Sequence, residues 1–290
     1  MPATLSLDAL APLRQDPARA AILLDIDGTL APIVDLASDA RVPERTRQLL
    51  AEVAKRYGVV ACVSGRRASE ARAMVSVGTI SYLGSHGAEL LRAGWTQPVL
   101  DENVAHWARR VQEFGREADT AELRRQRVRI EDKGLIVAFH WRGAPDEDAA
   151  RAGIDAIAAR AESAGLRTHW GRKVLEVRPP VRIDKGVGIS TFLAEEDVDI
   201  ALYAGDDRTD LDAFRALAEL AEEGRLKRVL RVGVYSDEGP DEISSESDFV
   251  IDGTGGVRDL LWMLLEPAAE GNRASSTDAN HPLATDPIDQ

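Results

Sequence analysis

The strongest constraint on this chain is a pair of carboxylates placed where a buried strand ends. AILLDI (residues 21–26) offers apolar side chains to both faces and runs straight into DGTLAPI, so Asp25 and Asp27 sit at the exit of the strand. A strand apolar on both faces belongs inside a sheet covered on both sides, as parallel sheets with helical crossovers are. In such sheets ligands gather at the carboxyl ends of the strands. Two acidic side chains at that place repel each other and lose hydration, and a divalent cation removes both objections. Gly28 lets the chain leave the strand sharply, and Thr29 offers a hydroxyl and an amide to an anion. A calcium loop would need D-x-[DN]-x-[DN]-G and an entering helix; here Gly28 follows the second Asp directly, after a strand.

The alternation of strand and helix continues along the chain. VVACVS (59–64) reads as a second buried strand after a helix at 43–56, and ISYL (80–83) as a third. Later come a helix at 185–193, strand DIALYA (199–204), a helix at 211–222, strand RVLRVGVY (228–235) and a helix at 257–265. This predicts an α/β protein: a Rossmann-like parallel-sheet core with helices on both faces. Residues 101–180 interrupt the pattern and differ in charge, with 15 Lys and Arg against 14 Asp and Glu, where the remainder has 21 against 35. Inside this block, VRIEDKGLIVAFHWR (128–142) reads as two strands turning at Lys133–Gly134, followed by a helix at 147–164 and two strands around Gly171. The expected organisation is a core of residues 1–100 and 181–266, an inserted α+β cap of residues 101–180, and a tail, 267–290, whose lack of periodicity predicts disorder.

Three further groups of residues gather at strand exits. GDDRTDLDAF (205–214) places Asp206, Asp207 and Asp210 beside Gly205 after a buried strand. One Asp there would be a helix cap; three ask for another reason. Ser64 and Gly65 follow the second strand with a hydroxyl and backbone amides suited to a phosphoryl oxygen. Lys185 opens a helix, where a cation opposes the dipole, so pairing with carboxylates or phosphate explains it better than exposure. His86, in GSHG, reads as a structural histidine rather than a site residue.

Composition closes off other classes. A net charge of −13 argues against nucleic-acid or anionic-membrane binding. The single cysteine, Cys62, excludes a disulfide framework and a cysteine-ligated zinc site and fits a reducing compartment. The apolar runs are too short to cross a bilayer, and the N-terminus lacks a secretory pattern. A soluble, cytoplasmic protein acting on a small molecule is expected, with a monomer favoured over an oligomer.

Asp25-x-Asp27-Gly28-Thr29, Ser64, Lys185 and Gly205-Asp206-Asp207, in that order and on those elements, resemble the four motifs of the haloacid-dehalogenase superfamily of phosphohydrolases. The resemblance covers roughly residues 21–265, and the inserted block lies where that superfamily places its larger cap. DIDGTLAPI, GSHGAEL (84–90), Glu131-x-Lys133, His140-x-Arg142 and VLEVRP (174–179) are similar to the trehalose-6-phosphate phosphatase family. The tyrosine common between the first two aspartates is Ile26 here, expected to be a neutral packing change.

What the resemblance implies is specific. Asp25 is the expected nucleophile, forming an aspartyl-phosphate. Asp27 protonates the leaving sugar oxygen and then deprotonates the attacking water. Mg²⁺ is held by the Asp25 side chain, the Asp27 backbone carbonyl and Asp206. Thr29, Ser64, Gly65 and Lys185 bind phosphoryl oxygens, and Asp207 and Asp210 support the ligands from behind. In the cap, Glu131, Lys133 and Glu176 hold the sugar hydroxyls, with Arg142 and Lys173 as helpers. With no synthase domain ahead of the motifs, a free-standing phosphatase is expected, hydrolysing trehalose 6-phosphate in the last step of trehalose biosynthesis. The same chemistry on sucrose phosphate or on glucosyl- or mannosyl-3-phosphoglycerate is one alternative. A catalytically silent sugar-phosphate-binding regulator is another, which the presence of Asp25, Asp27 and Asp206 argues against.

Overall fold

The computed structural model describes residues 3–34, 39–236 and 239–267. Of the expected tail, residues 268–290 lie outside the described residues. In chain order the strands are β1 (Ala3–Thr4), β2 (Ala20–Leu24), β3 (Val59–Val63), β4 (Ser81–Gly84), β5 (Glu89–Leu91), β6 (Val99–Leu100), β7 (Arg129–Asp132), β8 (Val137–His140), β9 (Arg167–Gly171), β10 (Val174–Arg178), β11 (Ile200–Gly205), β12 (Arg228–Tyr235) and β13 (Phe249–Asp252). The helices are α1 (Ala11–Gln15), α2 (Glu44–Arg56), α3 (Ala68–Val75), α4 (Glu102–Ala118), α5 (Ala121–Arg125), α6 (Glu147–Ser163), α7 (Lys185–Ala194), α8 (Asp210–Glu222), α9 (Asp241–Glu246) and α10 (Gly253–Leu265).

The larger sheet has the order β1-β13-β12-β11-β2-β3-β4-β5-β6 and is parallel from β1 to β4. β2 is its centre, and its five residues are all buried because alternate side chains enter two different cores. Ala20, Ile22 and Leu24 face one core, shared with Leu50 and Val53 of α2 and Leu260 and Leu264 of α10. Ala21 and Leu23 face the other, shared with Ile189 and Phe192 of α7 and Phe214 and Leu217 of α8. A continuous apolar run is thus what a strand sandwiched between two helical layers requires. The expected α/β core is observed, with one addition: β5 and β6 extend the sheet as antiparallel strands at the edge beyond β4.

The second sheet, β7-β8-β10-β9, is antiparallel throughout. One face packs Val137, Phe139, Leu175 and Val177 onto Val111 and Phe114 of α4 and Ile154 and Ala158 of α6. The period of two then turns Glu131, His140 and Glu176 to the opposite face. The first hairpin turns at Lys133 and Gly134, where Gly134 has φ 84° and Lys133 N donates to Ile136 O at 2.9 Å. The second turns one step later than expected: Gly171 pairs with Val174, and Lys173 takes the left-handed conformation at φ 62°.

The 17-residue α4 opens the inserted block, where the sequence pattern predicts no element before residue 128. Its buried residues Val104, Ala108, Val111, Gly115 and Ala118 recur at steps of four and three, the spacing of one helical face. Asp101 caps it by accepting from the amides of Asn103 and Val104 at 3.0 and 3.1 Å.

Candidate active site

The sheet order explains why residues far apart in sequence meet. β2 lies between β11 and β3, so the exits of these three strands stand side by side at the point where the strand order reverses. Leu24 pairs with Cys62 on one side and Ala204 on the other. The next residues in each chain, Asp25, the Val63–Ser64 step and Gly205–Asp206, therefore share one edge. β2 ends one residue before Asp25, whose amide still donates to Ala204 O at 2.9 Å.

At this edge Lys185, the first residue of α7, is buried to 2% exposure between two carboxylates: Nζ lies 2.6 Å from Asp25 Oδ1 and 2.7 Å from Asp210 Oδ1. Asp210 also accepts the Tyr203 hydroxyl at 2.5 Å on Oδ1 and the amides of Asp206 and Asp207, each at 2.9 Å, on Oδ2. Four donors fill what a carboxylate can accept, so Asp210 fixes both the lysine and the loop carrying Asp206. The Asp206 Oδ1 atom accepts the Thr29 hydroxyl at 2.9 Å. Asp207 Oδ1 holds the turn that leads into α8, accepting the Thr209 amide at 2.7 Å, its hydroxyl at 2.6 Å and the Asp210 amide at 3.3 Å. Of the three aspartates in that motif, the turn before the helix accounts for this one.

Two glycines are required by this crowding. Gly28 has φ 89°, and a Cβ there would lie 2.0 Å from Asp206 Oδ2. A Cβ at Gly205 would lie 2.2 Å from the Asp210 carboxyl carbon.

The charges do not balance within the protein. Asp25, Asp206 and Asp210 are buried to 4, 2 and 0% exposure and face one buried ammonium. Burial pushes Asp25 well above the usual carboxylate range, against the pull of Lys185 and with the help of Asp210. Burial, and then Asp210, pushes Asp206 up to about 6. Burial alone would pull Lys185 down, but Asp210 and Asp25 outweigh it and hold the ammonium charged. One carboxylate oxygen from each of Asp25, Asp206 and Asp210 lies within 4.8 Å of the others. Hard oxygen donors carrying excess negative charge fit Mg²⁺. Because Asp210 is saturated with donors, Asp25 and Asp206 are the side chains that could hold such an ion.

A cleft of about 540 Å³ opens over this cluster, lined among others by Asp25, Asp27, Ser64, Gly65, Lys185 and Asp207. Thr29 is fully buried, and its hydroxyl points to Asp206 rather than into the cleft. The Asp27 carboxylate stands apart from the buried three and is gripped by Arg66. His86 lines the cleft, with φ 57° between Ser85 at 50° and Gly87 at 93°. Burial, and then Lys185, lowers its pKa, against the pull of Asp207 and Asp210.

The cap residues gather on a different surface. Glu131 and Glu176 both pair with Ala138, from either side, and so share the open face of the cap sheet. Lys133 Nζ lies 3.1 Å from Glu176 Oε1, and Glu131 Oε2 accepts from His140 Nε2 at 2.9 Å. Glu176 is also paired with Arg178. Arg142 donates to Arg172 O at 3.3 Å, and Lys173 Nζ binds Glu147 at 2.6 and 2.9 Å. None of these cap residues lines the cleft over Asp25. The sequence reading left out Arg66 and Tyr203 as site residues. A polar-tipped ring inside the apolar run of β11, and a cation directly after Ser64-Gly65, are the signals that point to them.

Comparison with known proteins agrees with this geometry. The trehalose-phosphatase family model matches residues 23–249. The probable trehalose-phosphate phosphatase D of Arabidopsis thaliana is 31% identical over 208 residues, covering 68% of this chain and 56% of that protein. The chain thus spans little more than half the length of the curated plant relatives it matches. Among solved structures, a trehalose-6-phosphate phosphatase related protein superposes with a TM-score of 0.57 at 25% identity, covering 84% of this chain and 96% of that one. The Aspergillus fumigatus trehalose-6-phosphate phosphatase gives a TM-score of 0.63 at 23% identity, covering 91% and 98%, and supports the fold. On the extent of that match, the chain belongs to the trehalose-phosphatase family.

Proposed function

We propose that the protein is a Mg²⁺-dependent phosphomonoesterase that hydrolyses trehalose 6-phosphate. The observation that carries this reading is the buried Asp25–Lys185–Asp210 arrangement beside Asp206 at a strand-end cleft. Asp25 Oδ attacks phosphorus, giving an aspartyl-phosphate and splitting one displacement into two. Lys185 favours the ionised nucleophile against the burial that opposes it and offers its charge to a phosphoryl oxygen, which Ser64, Gly65 and the Thr29 amide also bind. Asp27 protonates the departing sugar oxygen and then takes a proton from the water that hydrolyses the intermediate. Mg²⁺ on Asp25 and Asp206, when bound, offsets the repulsion between an anionic nucleophile and an anionic substrate. Glu131, Lys133 and Glu176 present three charged groups to sugar hydroxyls once the cap sheet's open face meets the cleft. No described helix is long and apolar enough to cross a membrane.

Phosphate release from trehalose 6-phosphate, sucrose 6-phosphate, glucose 6-phosphate and glucosyl-3-phosphoglycerate, with Mg²⁺ and with EDTA, tests the reading. Release is expected mainly from trehalose 6-phosphate and only without EDTA. Glu176→Ala is expected to lower kcat/KM for that substrate roughly 10- to 100-fold, the worth of a hydrogen bond to a charged group, and to leave p-nitrophenyl phosphate unchanged. Faster release from another substrate of the panel would sink the cap assignment and leave the chemistry standing.

The metal site has its own signature. Without a cation, burial and Asp210 push Asp206 up to about 6, above its value in an unfolded chain, so ionising it costs stability as pH rises towards that value. Binding a cation needs the ionised form. The gain in Tm on adding Mg²⁺ is therefore expected to be small near about pH 5 and to grow towards about pH 7.5. Thermal scans with Mg²⁺ and with EDTA check this, and a Tm indifferent to Mg²⁺ at the higher pH would refute it.

A further inference from the structure

Asp27 differs from the buried carboxylates Asp25, Asp206 and Asp210 in being partly exposed, at 40% of its side chain, and in having an arginine of its own. Arg66 grips it as a fork: Nε donates to Oδ2 at 2.8 Å and Nη2 to Oδ1 at 2.7 Å. Two parallel bonds between planar groups fix the carboxylate's torsion as well as its place, which a lysine cannot do. Each oxygen keeps an acceptor position on the side away from the guanidinium.

The backbone under Arg66 is held equally firmly. Its amide donates to Ser64 Oγ at 3.1 Å, and its carbonyl accepts from Ser85 N at 2.7 Å. Ser64 O accepts from His86 N at 2.9 Å, and the His86 ring lies against Gly65, 2.7 Å from where a Cβ would be. The left-handed turn after β4 thus clamps the loop from which Arg66 reaches Asp27, and both side chains line the cleft. A held loop carrying a forked donor is the kind of support that keeps a reacting group in one geometry.

We propose that Arg66 is a positioning residue that aims the Asp27 carboxyl at the oxygen leaving phosphorus. The inference rests on the reading of Asp27 as proton donor given above. In the first step the bond from phosphorus to the sugar oxygen breaks and one from phosphorus to Asp25 forms. The Asp27 proton moves to the sugar oxygen, which departs as an alcohol. In the second step the attacking water returns a proton to Asp27 as the aspartyl-phosphate is cleaved.

The test uses the dependence on leaving group. A sugar alkoxide needs the proton, whereas p-nitrophenolate departs without one. Arg66→Ala is expected to lower kcat/KM for trehalose 6-phosphate about 10²-fold, the lower end of what general acid catalysis contributes, and to change p-nitrophenyl phosphate by less than about threefold. Arg66→Lys, which keeps the charge without the fork, is expected to fall between. In an Asp27→Asn background, Arg66→Ala is expected to cost nothing further on either substrate. Equal losses on both substrates would overturn the proposal in favour of a phosphate-binding or structural role. An undiminished loss in the Asp27→Asn background would overturn it in favour of direct contact with the sugar. A wild-type protein inactive on both substrates would remove the proposal together with the phosphatase reading beneath it.

Discussion

Asp25→Asn is expected to abolish phosphate release, by about four orders of magnitude or more, as losses of nucleophiles in other enzymes do, and to leave the protein folded. The two halves of this expectation come from the same geometry. Asparagine is nearly the same size as aspartate but cannot form the acyl phosphate. Asp25 is also a costly residue in the ground state: it is buried to 4% exposure, and its charge is opposed by burial and by Asp210 and Asp206. Removing that charge leaves Lys185 with its bond to Asp210 at 2.7 Å, so the ammonium is not orphaned. The melting temperature is therefore expected to stay level or rise, which separates lost chemistry from lost structure. Label transferred from radioactive substrate to acid-precipitated protein, sensitive to hydroxylamine, is expected in the wild type and absent in the variant. Residual turnover within about tenfold of wild type would remove Asp25 as nucleophile.

Much of this site was legible because the fold converts sequence order into place. Apolar runs at residues 21–26, 59–64 and 199–204 could only be strands covered on both faces, and polar residues directly after each had to meet at one edge. What sequence could not give was the partner of each group. Asp206, Asp207 and Asp210 look alike in the string GDDRTD, yet one sits beside Asp25 and takes the Thr29 hydroxyl, one holds the turn before α8, and one is saturated by Lys185, Tyr203 and two amides. That division depends on which way β11 turns into α8, a matter of packing rather than of composition. Thr29 illustrates the same limit, since its buried hydroxyl serves Asp206. The antiparallel β5 and β6 escaped notice because three- and two-residue strands at a sheet edge carry too little periodicity to read. α4 is different, because Val104 to Ala118 carries the four–three spacing in full and is readable from sequence.

Lys185→Met is expected to be the most destabilising single substitution at the site, on the order of 3–5 kcal/mol in the metal-free protein, the usual cost of removing one partner of a buried ion pair. Methionine fills most of the lysine's volume, so the loss is electrostatic and not a cavity effect. Without Nζ, three carboxylates buried to 4% exposure or less face one another and lose the ammonium that bonds two of them. The sign of the pH dependence follows. Asp25 and Asp206 already have raised pKa values with the lysine present, and its removal raises them further. The charged forms are what the fold tolerates badly, so the variant's deficit is expected to be least in acid, where protons replace the ammonium. It is expected to widen as pH rises through and above about 6. Mg²⁺ is expected to recover part of the loss at neutral pH, because it supplies the missing positive charge to Asp25 and Asp206. It cannot restore the bond that orients Asp210, so activity is expected to stay lost while Tm partly returns. Thermal scans of variant and wild type in EDTA and in Mg²⁺, across that pH range, decide the matter. A variant melting with wild type in EDTA at neutral pH would mean that Lys185 is not what holds these carboxylates together.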